Sequence, residues 1–234
     1  MKIFAISDLH LAITTPKPMD IFGGEWENYL EKIEKDWLSK VTNDDIVLIA
    51  GDLSWAMKLE DAMTDFGYFK DLPGTKIIIR GNHDYWWSTI SNVRNALPDK
   101  VFAIQNDAMK IGNFIFCGTR GWTVPELYSQ QSDEDKKIFA RELIRLEMSL
   151  QQAKKLQTNG ETIICMLHYP PFNSKFEMSE FTYLLEKYEV THCVYGHLHG
   201  NKIRSKPIVN INNVDYYLTS CDQVKNQLQL ITEN

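Results

Sequence analysis

The sequence predicts an α/β protein made of two mixed β-sheets packed together with helices outside, and three observations lead there. Short apolar runs alternate with helical patterns through the first two-thirds of the chain, and the last third turns hairpin-rich. Polar, chemistry-bearing residues stand where apolar runs stop, as with Asp8 after Ile3-Phe4-Ala5-Ile6 and Asp52 after Ile46-Val47-Leu48-Ile49.

The strand-like runs are 2–6, 45–50, 75–80, 101–104, 107–118, 161–167, 191–195 and 207–219, with a last one near 227–232. Between them, 25–39 places Trp26, Tyr29, Leu30, Ile33 and Trp37 at helical spacing. A second helix is expected over 58–70, closed by Pro73-Gly74, and a third over 86–97, stopping before Pro98. The clearest is 133–157: Ser132 can cap it, Asp133, Glu134 and Asp135 suit the positive end of its dipole, and Asn159-Gly160 ends it. A shorter helix covers 179–188, and Asn212-Asn213 reads as a tight turn between two strands. No internal repeat, low-complexity tract or linker interrupts the chain, so 1–234 is expected to be a single domain.

At 44% hydrophobic and 24% charged, the 234 residues suit a soluble globular protein with one substantial core. A net charge of −6 disfavours a nucleic-acid partner, although bound cations can still make a site attractive to anions. No secretory signal pattern or membrane-length apolar stretch is present. Cys117, Cys165, Cys193 and Cys221 are widely spaced in apolar runs, which suits buried free thiols and a cytoplasmic location.

Five short motifs carry the chemistry: Asp8-Leu9-His10, Gly51-Asp52, Gly81-Asn82-His83-Asp84, His168 and Gly196-His197-Leu198-His199. Five of the six histidines lie in them. Carboxylate, imidazole and amide donors without thiolate suit borderline divalent cations such as manganese, iron, cobalt or zinc, and two such ions suit metal-assisted hydrolysis.

In this order the motifs resemble the calcineurin-like metallophosphoesterase superfamily, in its bacterial-type predicted phosphohydrolase branch. The resemblance implies a four-layer α-β-β-α sandwich of two mixed sheets with flanking helices. It implies two divalent metal ions per chain (Mn2+, Fe2+/Fe3+ or Zn2+): Asp8, His10 and His199 would hold the first, and Asn82, His168 and His197 the second. Asp52 would bridge them. The histidine matching His83 acts in the family from the outer shell, steadying phosphoryl oxygens or protonating the leaving group. Asp84 is grouped with it, as an orienting partner of His83 or a residue of no special role. Arg80 matches an arginine that contacts phosphate in the phosphoprotein phosphatase branch. That branch continues its second motif as G-D-x-x-D-R-G, whereas here Trp55 stands at the later aspartate, which disfavours a phosphoprotein substrate. A lipid-sugar pyrophosphatase branch carries arginine where this chain has His83, which disfavours that assignment too.

The expectation is therefore an enzyme that hydrolyses phosphate esters with a metal-activated hydroxide, on a small phosphorylated substrate of phosphodiester or nucleotide type. The alternatives are a nuclease, a phosphomonoesterase or protein phosphatase of the same superfamily, or a non-catalytic metal-binding scaffold. Trp55, Tyr85, Trp86 and Trp87 read first as core packing and second as pocket lining. Arg120 reads equally as a cleft residue or a surface ion-pair partner, 11–24 as a cover for the substrate or a plain connection, and His192 as structural.

Overall fold

Because successive strand side chains point to opposite faces, each strand feeds two of three apolar layers. The computed structural model describes residues 1–200 and 206–233. Its strands are β1 (Lys2–Ile6), β2 (Ile46–Ile49), β3 (Thr75–Ile78), β4 (Val101–Ala103), β5 (Ala108–Ile111), β6 (Phe114–Thr119), β7 (Thr162–Leu167), β8 (His192–Tyr195), β9 (Ile208–Ile211), β10 (Val214–Leu218) and β11 (Gln229–Glu233). Its helices are α1 (Tyr29–Lys40), α2 (Leu59–Asp65), α3 (Ile90–Ala96), α4 (Asp133–Leu156) and α5 (Glu180–Lys187).

One sheet has the order β11-β1-β2-β3-β4, the other β5-β6-β7-β8-β10-β9. The runs β1-β2-β3-β4 and β6-β7-β8-β10 are parallel, and antiparallel strands occupy the flanking edges. Ile3 and Ala5 of β1, with Leu48 and Ile77, pack between the sheets against Phe116, Ile164, Met166 and Val194. Phe4 and Ile6 turn outward with Val47 and Ile49 to meet Ile33 and Trp37 of α1 and Val93 of α3. Beyond the second sheet, Ile115, Cys117, Cys165 and Leu167 meet Leu146, Leu150 and Ala153 of α4 and Phe181 and Leu185 of α5. This is the expected α-β-β-α layering, each large buried side chain contributing on the order of 1.5–3 kcal/mol of burial.

Local departures from the expected pattern follow turn chemistry. The 107–118 run divides into β5 and β6 because Gly112, at φ 56°, opens a two-residue turn that pairs Ile111 with Phe114. Asn212 and Asn213, at φ 49° and 64°, make the same kind of turn between β9 and β10. Trp26 leaves the α1 stripe: it ends a 3-10 turn over Gly24–Trp26, and Asn28, left-handed at φ 50°, separates that turn from the helix. α3 starts only at Ile90, where the Thr89 side chain caps the Asn92 N–H, and α2 gives way to a 3-10 turn over Phe66–Tyr68. Ser132 caps α4 through the Asp135 N–H, as its sequence suggests. All four cysteines are free and buried. Among the described residues no helix is long and apolar enough to cross a membrane.

Leu150 lies fully buried on the α4 face, far along the chain from any motif. Leu150→Ala is expected to lower unfolding stability by about 2–5 kcal/mol through the cavity it leaves. Urea unfolding measured beside metal analysis should show that loss with the metal-binding stoichiometry unchanged.

Candidate metal centre

Parallel strands expose their carboxyl ends together, and loops leaving those ends are where open α/β sheets place ligands. Asp8 follows β1, Asp52 follows β2, Asn82 and His83 follow β3, His168 follows β7, and His197 and His199 follow β8. The five motifs thus meet where the two sheets adjoin. Main-chain bonds lace these loops to one another: Asp8 N–H donates to Gly51 C=O (3.0 Å), His10 N–H to Asp52 C=O (3.0 Å) and Gly196 N–H to His168 C=O (3.1 Å). Ser7 joins the sheets, its N–H donating to Thr219 C=O while its own C=O accepts from the Cys221 N–H.

Crowding at this edge explains the glycines that precede the donors. A Cβ on Gly81 would stand 2.1 Å from Asp52 Oδ1, and one on Gly196 would stand 2.6 Å from Asp8 Oδ2. Asp8, His10, Asp52 and His197 all have positive φ, between 44° and 70°, a conformation that costs non-glycine residues energy and recurs at functional sites.

Donor atoms of Asp8, His10 and His199 lie within 4.8 Å of one another, and so do those of Asp8, Asp52 and His168. Asn82 Oδ1 sits 2.7 Å from His168 Nε2 and 2.9 Å from His197 Nδ1. The structure therefore brings Asp8, His10 and His199 together, joins Asp52 and His168 to Asp8, and places Asn82 beside His168 and His197. Asp52 stands between them: Oδ1 accepts from the His83 N–H at 2.8 Å, while Oδ2 is 3.4 Å from His168 Nε2 and 3.7 Å from His10 Nε2. Asp52 Oδ2 and both ring nitrogens of His10 are buried with no hydrogen-bond partner among the described residues. Such an atom ordinarily costs about 1–3 kcal/mol, so this orphaned oxygen between two imidazoles is a fit for cations.

The protonation chemistry agrees. Burial drives His10 down to about 3 and His197 likewise to about 3, so both rings are neutral at pH 7 with lone pairs to offer. Burial also opposes a charge on His168, but Asp52 and Asp8 outweigh it and raise His168 to about 9. Its Nδ1–H donates to Ala50 C=O at 2.9 Å, which aims Nε2 at the site. Burial works against the Asp52 carboxylate too, yet His168, His10 and the His83 N–H hold it below the usual carboxylate range. Asp8, fully buried beside Asp52, is pushed up by burial; Ser7 Oγ donates to its Oδ2 at 2.8 Å.

His83 has a half-buried ring that abuts His10, Trp55 and Tyr85, with Nδ1 3.3 Å from Tyr85 Oη. Asp84, grouped with it from sequence, is engaged elsewhere. Its two oxygens accept from the main-chain N–H groups of Asp52, Leu53, Ser54 and Gly81 and from the Trp86 indole, at 2.7–3.2 Å. Burial and the Asp52 charge raise it to about 6, still low enough to accept all five as a carboxylate at pH 7. Arg80 lies on the flank of the centre, its Nε buried and without a partner among the described residues. His192, at the opposite end of β8, faces Asp215 at 3.9 Å.

Sequence reading passed over several residues here. Trp26 sits against His10 and His199, and Tyr169 lies 4.1 Å, centroid to centroid, from His197. Lys17 places its ammonium over the Trp55 ring, so the 11–24 segment does return to the centre. Trp55, read first as core, is buried but stacks on His10 at 4.7 Å and 18°. Trp86 and Trp87 are core, whereas Tyr85 is 51% exposed. The placement of Tyr169 beside a motif histidine was the signal available in the sequence.

A family profile described as calcineurin-like phosphoesterase matches residues 1–201. Among solved structures, the phosphopantetheinyl hydrolase of Mycobacterium tuberculosis is similar with a TM-score of 0.57 at 13% identity, over 100% of this chain and 96% of that one. A Thermus thermophilus protein gives a TM-score of 0.61 at 13% identity, over 97% of this chain and 96% of its own. A protein of unknown function from Aquifex aeolicus gives 0.50 at 11% identity, over 98% and 95%. At these identities the likeness is one of fold. No curated protein sequence matches the chain significantly.

Two outcomes are expected. Asp84→Ala strands several buried N–H groups and should cost at least about 3 kcal/mol in unfolding experiments, with metal binding lost alongside; if Asp84 served His83 alone, only turnover would fall. If His168 Nε2 takes a divalent ion, binding displaces its proton, so affinity should rise with pH up to about 9. Calorimetry at pH 7 in buffers of different ionisation enthalpy should report roughly one proton released per chain. No release at pH 7 would contradict this protonation.

Proposed function

We propose a dinuclear mechanism for this chain, which belongs to the calcineurin-like phosphoesterase family and so is a metal-dependent hydrolase of phosphoric esters. The observation that carries the dinuclear reading is Asp52 Oδ2, buried, unpartnered among the described residues and turned toward imidazoles from both donor sets. Asp8, His10 and His199 would hold one ion and Asn82, His168 and His197 the other, with Asp52 shared between them. When bound, two divalent ions supply Lewis-acid stabilisation of phosphoryl charge and a hydroxide nucleophile near neutral pH.

The chain's own residues do the rest. Asn82 offers an amide oxygen and so adds no negative charge on its side of the centre. His83 holds its ring at the edge of the cleft. Burial lowers its pKa, Asp52 opposes that, and Lys17 adds to the fall. A ring that is neutral at pH 7 donates an N–H to a phosphoryl oxygen more readily than it protonates a leaving group, so steadying the phosphoryl group is its proposed task. Arg80 offers a guanidinium fork for the same group.

Trp55, where the phosphoprotein branch would have aspartate, already has its ring taken up by His10 and Lys17. Tyr85, half exposed beside His83, is the aromatic free to receive a base or other ring. This supports a small phosphodiester or nucleotide-type substrate. The charge of −6 argues against nucleic acid, and four free buried thiols suit a reducing compartment, here proposed as the cytoplasm. The whole of 1–234 is read as one such domain.

Manganese-loaded protein should hydrolyse simple aryl phosphate esters and lose that activity to a chelator; absence of turnover with any divalent metal would overturn the reading. His83→Ala should lower kcat by ~10²–10³-fold with metal content intact. Unchanged turnover would remove His83 from the chemistry.

A further inference from the structure

Four of the chain's six arginines, Arg80, Arg120, Arg141 and Arg145, line a single cavity of about 220 Å³. They arrive from three separate parts of the fold. Arg80 follows β3, Arg120 follows β6, and Arg141 and Arg145 stand on one face of α4 at i, i+4 spacing. No basic run in the sequence announces this; tertiary structure alone concentrates the charge, in a protein whose net charge is −6.

The one carboxylate lining the cavity is Glu142, which is fully buried. Arg145 Nη1 donates to it at 2.7 Å, Thr119 Oγ1 donates at 2.9 Å, and Arg120 Nη2 stands off at 3.6 Å. One carboxylate offsets one guanidinium, so the lining keeps about three formal positive charges. Neither Arg80 nor Arg141 has an ion pair among the described residues, and the buried Nε of Arg80 lacks any hydrogen-bond acceptor there. Neutralising Glu142 therefore accounts for Arg145 and part of Arg120, and for nothing further. Like charges gathered without counterions are unfavourable by themselves and become favourable once an anion enters.

The cavity is also adjacent to the reaction centre. Arg80 lies two residues before Asn82, within about 7 Å along the main chain. The Arg120 C=O accepts from the N–H groups of both His168 and Tyr169 at 3.0 Å. Asn82 and His168 belong to the same donor set, so the arginine cavity flanks that side of the centre. Its volume is below the ~300–1,000 Å³ of a pocket that takes a whole drug-sized molecule. It suits one anionic group of a larger ligand.

We propose that this cavity is a second anion subsite, and that the substrate carries two phosphoryl groups. One is cleaved at the metal centre, and the other is seated by Arg120, Arg141 and Arg145, with Arg80 between them. Guanidinium forks meet phosphoryl oxygens in pairs, the recognition that a point charge does not provide. The inference rests on the phosphoesterase reading above and narrows its substrate to small molecules with two phosphoryl groups.

Two measurements test it. The first compares kcat/KM for a nucleoside 5′-monophosphate, a nucleoside 5′-diphosphate and a nucleoside 3′,5′-bisphosphate on manganese-loaded protein. The wild type should prefer one of the doubly phosphorylated compounds, which also tells adjacent from separated phosphoryl groups. Arg120→Gln/Arg141→Gln should reduce that preference ratio by about 10- to 100-fold, and Arg141→Lys should recover part of it. A ratio equal in wild type and variant, or no wild-type preference, overturns the proposal. The second is calorimetric titration of inorganic phosphate into chelator-treated protein, where turnover plays no part. Phosphate should bind the wild type and bind the double variant at least about tenfold more weakly, with unchanged unfolding midpoints confirming the fold. Equal phosphate affinity overturns the proposal. If the wild type turns over none of the three nucleotides, the titration alone decides the subsite, while turnover of aryl phosphate esters decides the hydrolase reading.

Discussion

The donor loops after β1, β2 and β8 leave their strands in left-handed conformations, and the buried carboxylate of Asp84 is the interaction that keeps the loops after β2 and β3 in register. By accepting from main-chain N–H groups at 52, 53, 54 and 81, it fixes the turn after β2 against the turn after β3. Asp52 and Asn82 are thereby held relative to each other before any ligand arrives. Positive φ at Asp8, His10, Asp52 and His197 is tolerated because such bonds, with those from Ser7 to Thr219 and from Gly196 to His168, over-determine the backbone. Preorganisation of this kind is what an electrostatic site requires, since dipoles already in place need no rearrangement during reaction.

Charge at the centre follows from the same geometry. Two buried carboxylates and a ring of imidazoles share one site. Asp52 stays ionised because His168 and His10 face it, His168 stays protonated because Asp52 and Asp8 face it, and His10 and His197 are neutral because burial is unopposed enough to discharge them. Divalent cations held here would replace the His168 proton and satisfy the orphaned oxygen of Asp52 at once. The acidic protein would thereby become locally positive at the centre where the proposed anionic substrate binds, and the arginine cavity extends that positive region along one flank.

Much of this was legible in the sequence, for identifiable reasons. The short apolar runs at 2–6 and 45–50 read as strands and are buried on both faces, and the capped 133–157 segment had one sensible conformation. The motif glycines at 51, 81 and 196 stand where the structure leaves no room for a Cβ, against His168 and Gly81, against Asp52, and against Ser7 and Asp8 in turn. What escaped were properties of convergence. Asp84 looked like a partner for its neighbour His83, but its hydrogen bonds run to a loop some thirty residues earlier. Trp26 fitted a helical stripe until a left-handed Asn28 detached it from α1. The four arginines are separated along the chain by as much as 65 positions and carry no local signature.

The account stands on Asp52 as the carboxylate shared by two ions. Metal content of wild-type protein and of Asp52→Asn, measured by mass spectrometry after reconstitution with manganese and gel filtration, tests this most directly. The prediction is about two ions per chain in the wild type and a loss from both positions in the variant, since an amide cannot bridge with equal charge. One ion per chain in the wild type, or a variant that retains both, would contradict it.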